Sequence, residues 1–187
     1  SLEEEAKELV KRVRDELRKI ERTIEKIVED SRRRLEENRK RNKELIERVE
    51  KELRELKKRV TDERIKKVVR DVLEKARKLL EESEEMVRRV ERISERTLRT
   101  VREVVKEVEK IVEKLLEDVK RKSSDERARD ILREAKKMLE KVLRDLRRVL
   151  EELRKENEKV LRELEEISKE TEDRLREVLR ELRERTR

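Results

Sequence analysis

Few residues in this chain have the chemistry for catalysis or cofactor binding, because 60% of its 187 residues are charged and it has no Cys, His, Gly, Pro or aromatic residue. Without Cys and His there is no thiolate nucleophile, no zinc–sulfur site and no side chain that ordinarily titrates near neutral pH. Without Gly there is no phosphate-cradling loop, and without aromatic residues there is no stacking platform for bases. We therefore predict no enzyme, no cofactor and no metal site.

Carboxylates are abundant, and some are adjacent, as in the pairs Glu84–Glu85 and Glu151–Glu152. General acid–base catalysis needs a carboxyl group in a dry pocket that shifts its pKa. Carboxylates on a solvated helix face lack such a pocket. We predict no catalytic residue among them.

A basic run lies between Ser31 and Lys43, in a chain whose formal net charge is +8. Such a run is the kind of patch that binds nucleic acid or an anionic membrane. The Glu-rich segment 154–166 offers a different partner if its helix lies alongside, because complementary flanking charges set helix pairing. We favour helix pairing, and a merely solvated face or a nucleic-acid or lipid surface stay as alternatives. No specific nucleic-acid or membrane partner is predicted.

Small polar residues interrupt an otherwise apolar helical stripe at nine positions. They are Ser31, Asn38, Asn42, Ser83, Ser94, Thr97, Asn157, Ser168 and Thr171. A metal site in a helical core would use carboxylates or His, which these positions lack. We predict buried hydrogen-bond networks that fix register and partner choice, with local solvent exposure as the alternative.

We pair the first two helices antiparallel about the first turn, and the first and third helices parallel at an offset of about 123 residues. This pairing sorts the nine residues into two groups. One group is Ser31, Ser94, Thr97 and Asn157; the other is Asn38, Asn42 and Ser83, with Ser168 and Thr171 as further candidates.

The apolar stripe returns to the same azimuth every 18 residues, or five helical turns, as at Leu17, Leu35 and Leu53. A period of 3.6 matches an undistorted helix, whereas a period of 3.5 imposes a left-handed supercoil. We therefore predict nearly straight helices. A flanking row at Val10, Val28 and Ile46 widens the stripe, which suits a helix that faces two neighbours.

Helix ends must be located from capping residues, since Gly and Pro are missing. Thr61 and Ser124 each precede an Asp-Glu pair and follow a basic run, which is typical of a helix end followed by an N-cap. Val60 and Ile65 occupy the positions of a hydrophobic staple, and Ser1 with Glu4 forms a third capping box.

These signals predict helices over residues 2–59, 62–121 and 125–186, joined by connections so short that neighbouring helices run antiparallel. The predicted fold is all-α: a long, nearly untwisted antiparallel three-helix bundle, up-down-up, with residues 1–187 as a single domain. Met86 and Met138 lie at or beside core positions and are interpreted as gap fillers.

In its 18-residue repeat, Ser/Thr/Asn interruptions and Glu/Lys/Arg surface, the whole chain resembles de novo designed parametric helical bundles with buried hydrogen-bond networks. The resemblance implies a stable scaffold without a natural activity. The Gly-free connections after Val60 and Lys122 depart from the usual Gly-, Ser- or Pro-bearing loops of such designs. Natural spectrin-like repeats are similar in topology but usually carry core Trp.

The function expected from these observations is structural: a scaffold or an assembly building block. A helical binding module for a partner helix, nucleic acid or an anionic membrane is the alternative. A monomer is expected, with a homo-oligomer as the other outcome. No run approaches 18 apolar residues and no signal segment opens the sequence, so we expect no membrane span and a soluble, cytoplasmic product on recombinant expression.

Overall fold

The computed structural model describes residues 1–59, 61–121 and 124–186. It contains three helices: α1 (Leu2–Arg59), α2 (Glu63–Lys120) and α3 (Asp125–Arg185). These bounds confirm the predicted all-α three-helix bundle, and three of the helix ends differ from the prediction by a single residue. The described residues include no strand.

Two of the three predicted N-caps form as expected. The Ser1 hydroxyl oxygen accepts a hydrogen bond from the backbone N–H of Glu4 at 3.3 Å, and the Ser124 hydroxyl oxygen accepts one from Arg127 at 3.2 Å. Each bond satisfies a backbone donor that has no partner inside its helix. These caps fix where α1 and α3 begin.

The predicted cap of α2 is wrong by one residue. Asp62, rather than Thr61, caps the helix, because its carboxylate accepts the backbone N–H of Arg64 at 3.0 Å. A carboxylate at this position both accepts the hydrogen bond and places negative charge at the positive end of the helix dipole, whereas a threonine hydroxyl only accepts. Ile65 is half-buried, and Val60, its predicted staple partner, lies outside the described residues.

The described contacts divide the chain into two compact units, and every helix contributes a segment to each of them. Unit 1 comprises Ser1–Glu29 and Arg92–Glu156, and unit 2 comprises Asp30–Glu91 and Asn157–Arg187. That residues 1–187 form a single domain stays a prediction.

Unit 1 is held by an apolar core to which all three helices contribute. Ile24 of α1, Val112 of α2 and Leu139 of α3 are fully buried in it, and the flanking residues Val10 and Val28 are buried too, as the wide stripe predicts. Full burial of each such aliphatic side chain is worth about 1.5–3 kcal/mol. The core thus supplies the main attraction between the helices of this unit.

Unit 2 has two apolar clusters instead of one. Leu53 of α1 and Leu182 of α3 belong to the larger cluster, while Leu35 of α1 and Leu164 of α3 belong to the smaller. Along each helix, the segment between the two clusters carries a polar residue of the predicted stripe. The apolar packing of unit 2 is therefore interrupted by a polar layer.

Met138 does not fill a gap in the core, contrary to the prediction: 51% of its surface is exposed. Its neighbours Ala135 and Leu139 are buried in the core of unit 1. Since successive residues of an α-helix are rotated by about 100°, the residue before Leu139 turns away from the core. Met86 is half-buried and packs against the smaller apolar cluster of unit 2.

Candidate functional site

The side-chain amide of Asn42 is the centre of a buried polar network in unit 2. Its nitrogen Nδ2 lies 2.9 Å from Oδ1 of Asn38, 3.1 Å from Oγ of Ser83 and 3.1 Å from Oγ of Ser168. Only two hydrogens serve three acceptors, so the acceptors share them. The network connects all three helices, because Asn38 and Asn42 lie on α1, Ser83 on α2 and Ser168 on α3.

The two serine hydroxyls complete the network by donating hydrogen bonds of their own. Ser168 donates to Oδ1 of Asn38 at 3.3 Å, and Ser83 donates to the backbone carbonyl of Leu79 at 2.9 Å. Asn42, Ser83 and Ser168 are buried, and Asn38 is half-buried. In a water-poor interior such bonds are stronger than in water, and an unpaired polar atom is correspondingly costly. The layer is favourable only in the register that pairs its donors and acceptors.

A second, smaller polar contact in unit 2 joins α1 and α3. The amide nitrogen of Asn157 donates to the hydroxyl of Ser31 at 3.2 Å, and both residues are buried. The amide oxygen of Asn157 is buried and accepts no hydrogen bond from any described residue. Asn157 therefore uses the nitrogen of its amide and not the oxygen.

Ser94 and Thr97, which belong to unit 1, form no network. Thr97 donates to the backbone carbonyl of Ile93 in its own helix at 2.9 Å, and the buried hydroxyl of Ser94 has no hydrogen-bond partner among the described residues. A threonine within a helix often turns its hydroxyl back to the carbonyl four residues earlier. The four-residue group predicted around Ser31 is therefore reduced to the pair Ser31–Asn157.

Thr171 also stays outside the polar network. It is half-buried, makes no side-chain hydrogen bond to any described residue, and lies on the wall of an open groove of about 250 Å³. Lys75 and Lys78 of α2 and Arg174 of α3 share that wall. Thr171 thus contacts solvent where we predicted a core position.

The register between α1 and α3 differs from the prediction by about one helical turn. Ser31 pairs with Asn157, and Asn42 with Ser168, each at a separation of 126 residues rather than about 123. This separation equals seven of the 18-residue repeats, so residues of equal azimuth meet. The short connections predict a separation of about 123 residues, and the repeat favours 126, the multiple of 18 nearest to that value.

Arg34 connects the same two helices at the surface of unit 2. Its guanidinium donates to Glu158 at 2.6 Å and to Glu165 at 3.1 Å. The hydrogen bond to Glu158 raises the pKa of Arg34, and the same bond lowers the pKa of Glu158 below its usual range. This contact is the helix pairing that we favoured for the basic run.

The rest of the basic run does not pair across helices in this way. Arg33 contacts Asp30 on its own helix at 3.5 Å. The remaining cations of the run are exposed: Arg32, Arg39, Lys40, Arg41 and Lys43. Interhelical pairing therefore explains one residue of the run, and most of its charge faces solvent.

Another interhelical ion pair, in unit 1, was not predicted from the sequence. Arg14 of α1 holds Glu109 of α2 through two hydrogen bonds, at 3.2 and 3.0 Å. The bond from Arg14 lowers the pKa of Glu109, and the same bond raises the pKa of Arg14. With more than 100 charged residues to choose from, no local pattern marks this pair.

The lowered pKa of Glu158 predicts a small, pH-dependent stabilisation. At pH 7 we expect Glu158→Gln to cost under about 1 kcal/mol, because the Arg34–Glu158 pair is more than a third exposed on its acidic side. A depressed folded-state pKa stabilises above the unfolded value of about 4.3, and this contribution disappears as the pH falls through the folded-state pKa. Urea unfolding at pH 7 and at pH 2–3 measures the cost of the substitution and its disappearance in acid.

The exposed Glu156, on the same helix, is the matched control. Glu156→Gln should leave the free energy of unfolding unchanged at both pH values. A loss for Glu158→Gln that persists undiminished at low pH would contradict the assignment of the effect to the charge of Glu158.

The polar layer offers neutral amide and hydroxyl groups, which hold helices together but supply neither a general base nor an activated nucleophile. Within the part of the chain that the structure describes, no three His, Cys, Asp or Glu residues are grouped closely enough to hold a metal ion. None of the described helices combines the length and apolar character needed to cross a membrane. No protein-family model, no curated protein and no solved structure matches this chain.

Proposed function

We propose that this chain is a structural scaffold or assembly building block of de novo designed origin, a monomeric three-helix bundle without a natural biochemical activity. The observation that supports it most is the position of Asn42, whose amide contacts α2 and α3 at once. A side chain placed in this way serves the arrangement of the helices rather than a substrate.

The polar layer gives the bundle a preference that its apolar stripe lacks. Leu, Ile and Val side chains recur every 18 residues, so a helix exchanged between two copies buries similar apolar surface when it is displaced by one repeat. If α3 is displaced by one repeat, Leu150 or Thr186 takes the place of Ser168 beside Asn42, and each buried polar group left without a partner costs about 1–3 kcal/mol. The scaffold proposal follows from this difference between one packing and its competitors.

The scaffold proposal is tested by measuring the mass of the refolded protein in solution. After thermal or chemical unfolding and refolding, size-exclusion chromatography with multi-angle light scattering should give one species of 23.1 kDa over a wide range of concentration. A stable dimer or trimer, or a mixture of species, would contradict the proposal that the chain specifies one closed bundle by itself.

The competing proposal is a binding module, and the exposed cations of the basic run, such as Arg39, Lys40 and Arg41, favour it. A gel-shift titration with a short DNA duplex separates the two proposals. The scaffold should show at most weak retardation at low salt and none at physiological salt, since non-specific binding falls steeply with salt. Saturable binding at physiological salt would favour the binding module instead. A titration with anionic vesicles in place of DNA tests the membrane alternative.

A further inference from the structure

Three ion pairs between α1 and α3 share one geometry. In each, a residue of α1 contacts the residue 131 positions later in the sequence. The three pairs are Glu16 with Arg147 in unit 1, and Arg34 with Glu165 and Glu52 with Arg183 in unit 2. On each helix the three residues are 18 positions apart, which is the period of the apolar stripe.

The sign of the charge alternates along both helices. α1 carries Glu, Arg and Glu at the three positions, and α3 carries Arg, Glu and Arg. We infer that these six residues form an alternating charge code, which accepts a parallel helix bearing Arg, Glu and Arg at 18-residue steps and rejects the same helix displaced by one repeat. The inference rests on the proposed scaffold function and names the partner for which the flank of α1 is specific.

The code distinguishes packings that the apolar stripe treats as equivalent. A displacement by 18 residues keeps apolar residues against apolar residues, but it places Glu16 against Glu165 and Arg34 against Arg183. Like charges in both contacts replace opposite charges in both, so the preference is set by repulsion as well as attraction. A uniform row of one charge on each helix would satisfy every displaced contact.

The discrimination matters between copies of the chain rather than within one copy. The connection between α2 and α3 is too short to let α3 slide by 18 residues, which is about 27 Å. When α3 exchanges between copies, that restriction no longer applies, and a staggered exchange leaves each end open for a further copy. The partner that the code governs is therefore a second copy of this chain.

The pairs are too exposed to act through strong attraction. Glu16 and Glu52 are about a third exposed, and Arg147 and Arg183 more than half. Exposed ion pairs add little stability. When a displacement turns several attractive contacts into repulsive ones, however, the free-energy difference between the two registers is the sum of these changes. The expected effect therefore appears in the distribution of assemblies and hardly at all in the unfolding free energy.

The test compares a uniform and an inverted version of the code. The uniform variant carries Arg34→Glu, Glu165→Arg and Glu158→Gln. The first two changes make the three α1 positions acidic and the three α3 positions basic. Glu158 is neutralised because it also contacts residue 34. The inverted variant carries the same changes and Glu16→Arg, Glu52→Arg, Arg147→Glu and Arg183→Glu. Both variants keep every in-register pair, but only the inverted variant keeps the alternation.

Both versions are prepared with and without Asn38→Leu/Asn42→Leu, because the polar layer opposes the same displacement. Each protein is unfolded, refolded at low salt and analysed by sedimentation velocity. In the background without the polar layer, the uniform variant should show at least a three-fold larger fraction of species heavier than a dimer than the inverted variant. In 1 M NaCl, where the Debye length is about 3 Å, this difference should vanish.

Equal distributions for the uniform and inverted variants at low salt would overturn the inference. If circular dichroism shows that the uniform variant does not fold, a variant with Arg34→Gln, Glu158→Gln and Glu165→Gln replaces it. This variant should give an intermediate fraction of species heavier than a dimer. No increase over the background would again overturn the inference. A mixture of species from the unsubstituted chain would instead contradict the proposed scaffold function. The two failures are therefore distinguishable.

Discussion

Replacing Asn42 by aspartate is expected to lower the free energy of unfolding at pH 7 by about 3–5 kcal/mol, because the substitution buries a charge that has no partner. All three hydrogen bonds from Asn42 to other side chains use its amide nitrogen, which aspartate lacks. The carboxylate would be buried, and the hydroxyls of Ser83 and Ser168 would have to leave their present acceptors to reach it. Urea unfolding at pH 7 measures the loss.

The deficit of Asn42→Asp should shrink in acid. Burial raises the pKa of the introduced carboxyl group, because a water-poor interior disfavours its charged form. The penalty is therefore absent below the unfolded-state pKa of about 3.9, and it reaches full size once the pH exceeds the raised folded-state pKa. The quantity to compare is the difference between variant and parent at each pH, since the parent loses its own ion pairs in acid.

Asn38→Asp is the matched control for the same chemical change, four residues earlier on α1. Asn38 takes part in the network only through its oxygen, which accepts from Asn42 and Ser168, and the residue is half-buried. A carboxylate accepts both bonds as well, so we expect a loss under about 1 kcal/mol. Equal losses from the two substitutions would contradict the donor role assigned to Asn42.

The fold was predictable because helix ends and the apolar period are local properties of the sequence. Ser1 and Ser124 cap their helices through bonds to residues three positions away, and the stripe of Leu17, Leu35 and Leu53 is buried as its spacing requires. Neither inference needs knowledge of distant parts of the chain. The low twist expected from a period of 3.6 stays a prediction.

The network was predictable only in part, because the partner of a polar side chain depends on competition between near and distant acceptors. Asn42 and Ser83 find each other across helices, but Thr97 prefers a carbonyl in its own turn. A shift of about one helical turn in the register also changes the height at which residues meet: Asn157 pairs with Ser31, whereas an offset of about 123 would place it beside residue 34. Sequence spacing fixes the azimuth of a residue more tightly than its height along the bundle.

Replacing both Asn38 and Asn42 by leucine is expected to raise the free energy of unfolding by about 1–3 kcal/mol, since buried polar networks are often less stabilising than apolar groups of similar size. For a chain of this length each kcal/mol corresponds to roughly 2–4 °C in Tm. Ser83 keeps its bond to the carbonyl of Leu79, so Ser168, which loses its bonds to both asparagines, is the network hydroxyl that the change leaves unpaired. Thermal and urea unfolding measure the gain.

The same double variant should lose uniqueness as it gains stability, because displaced packings would no longer bury Asn42 without partners. Light scattering after refolding should then show dimers or larger species beside the monomer. Thr171→Leu, which adds a leucine without touching the network, should change stability by under about 1 kcal/mol and leave a single species. A double variant that is less stable and still uniquely monomeric would show that the amides stabilise the bundle without specifying it. The gain in stability and the loss of uniqueness must therefore appear together, since both arise from removing the same buried donors and acceptors.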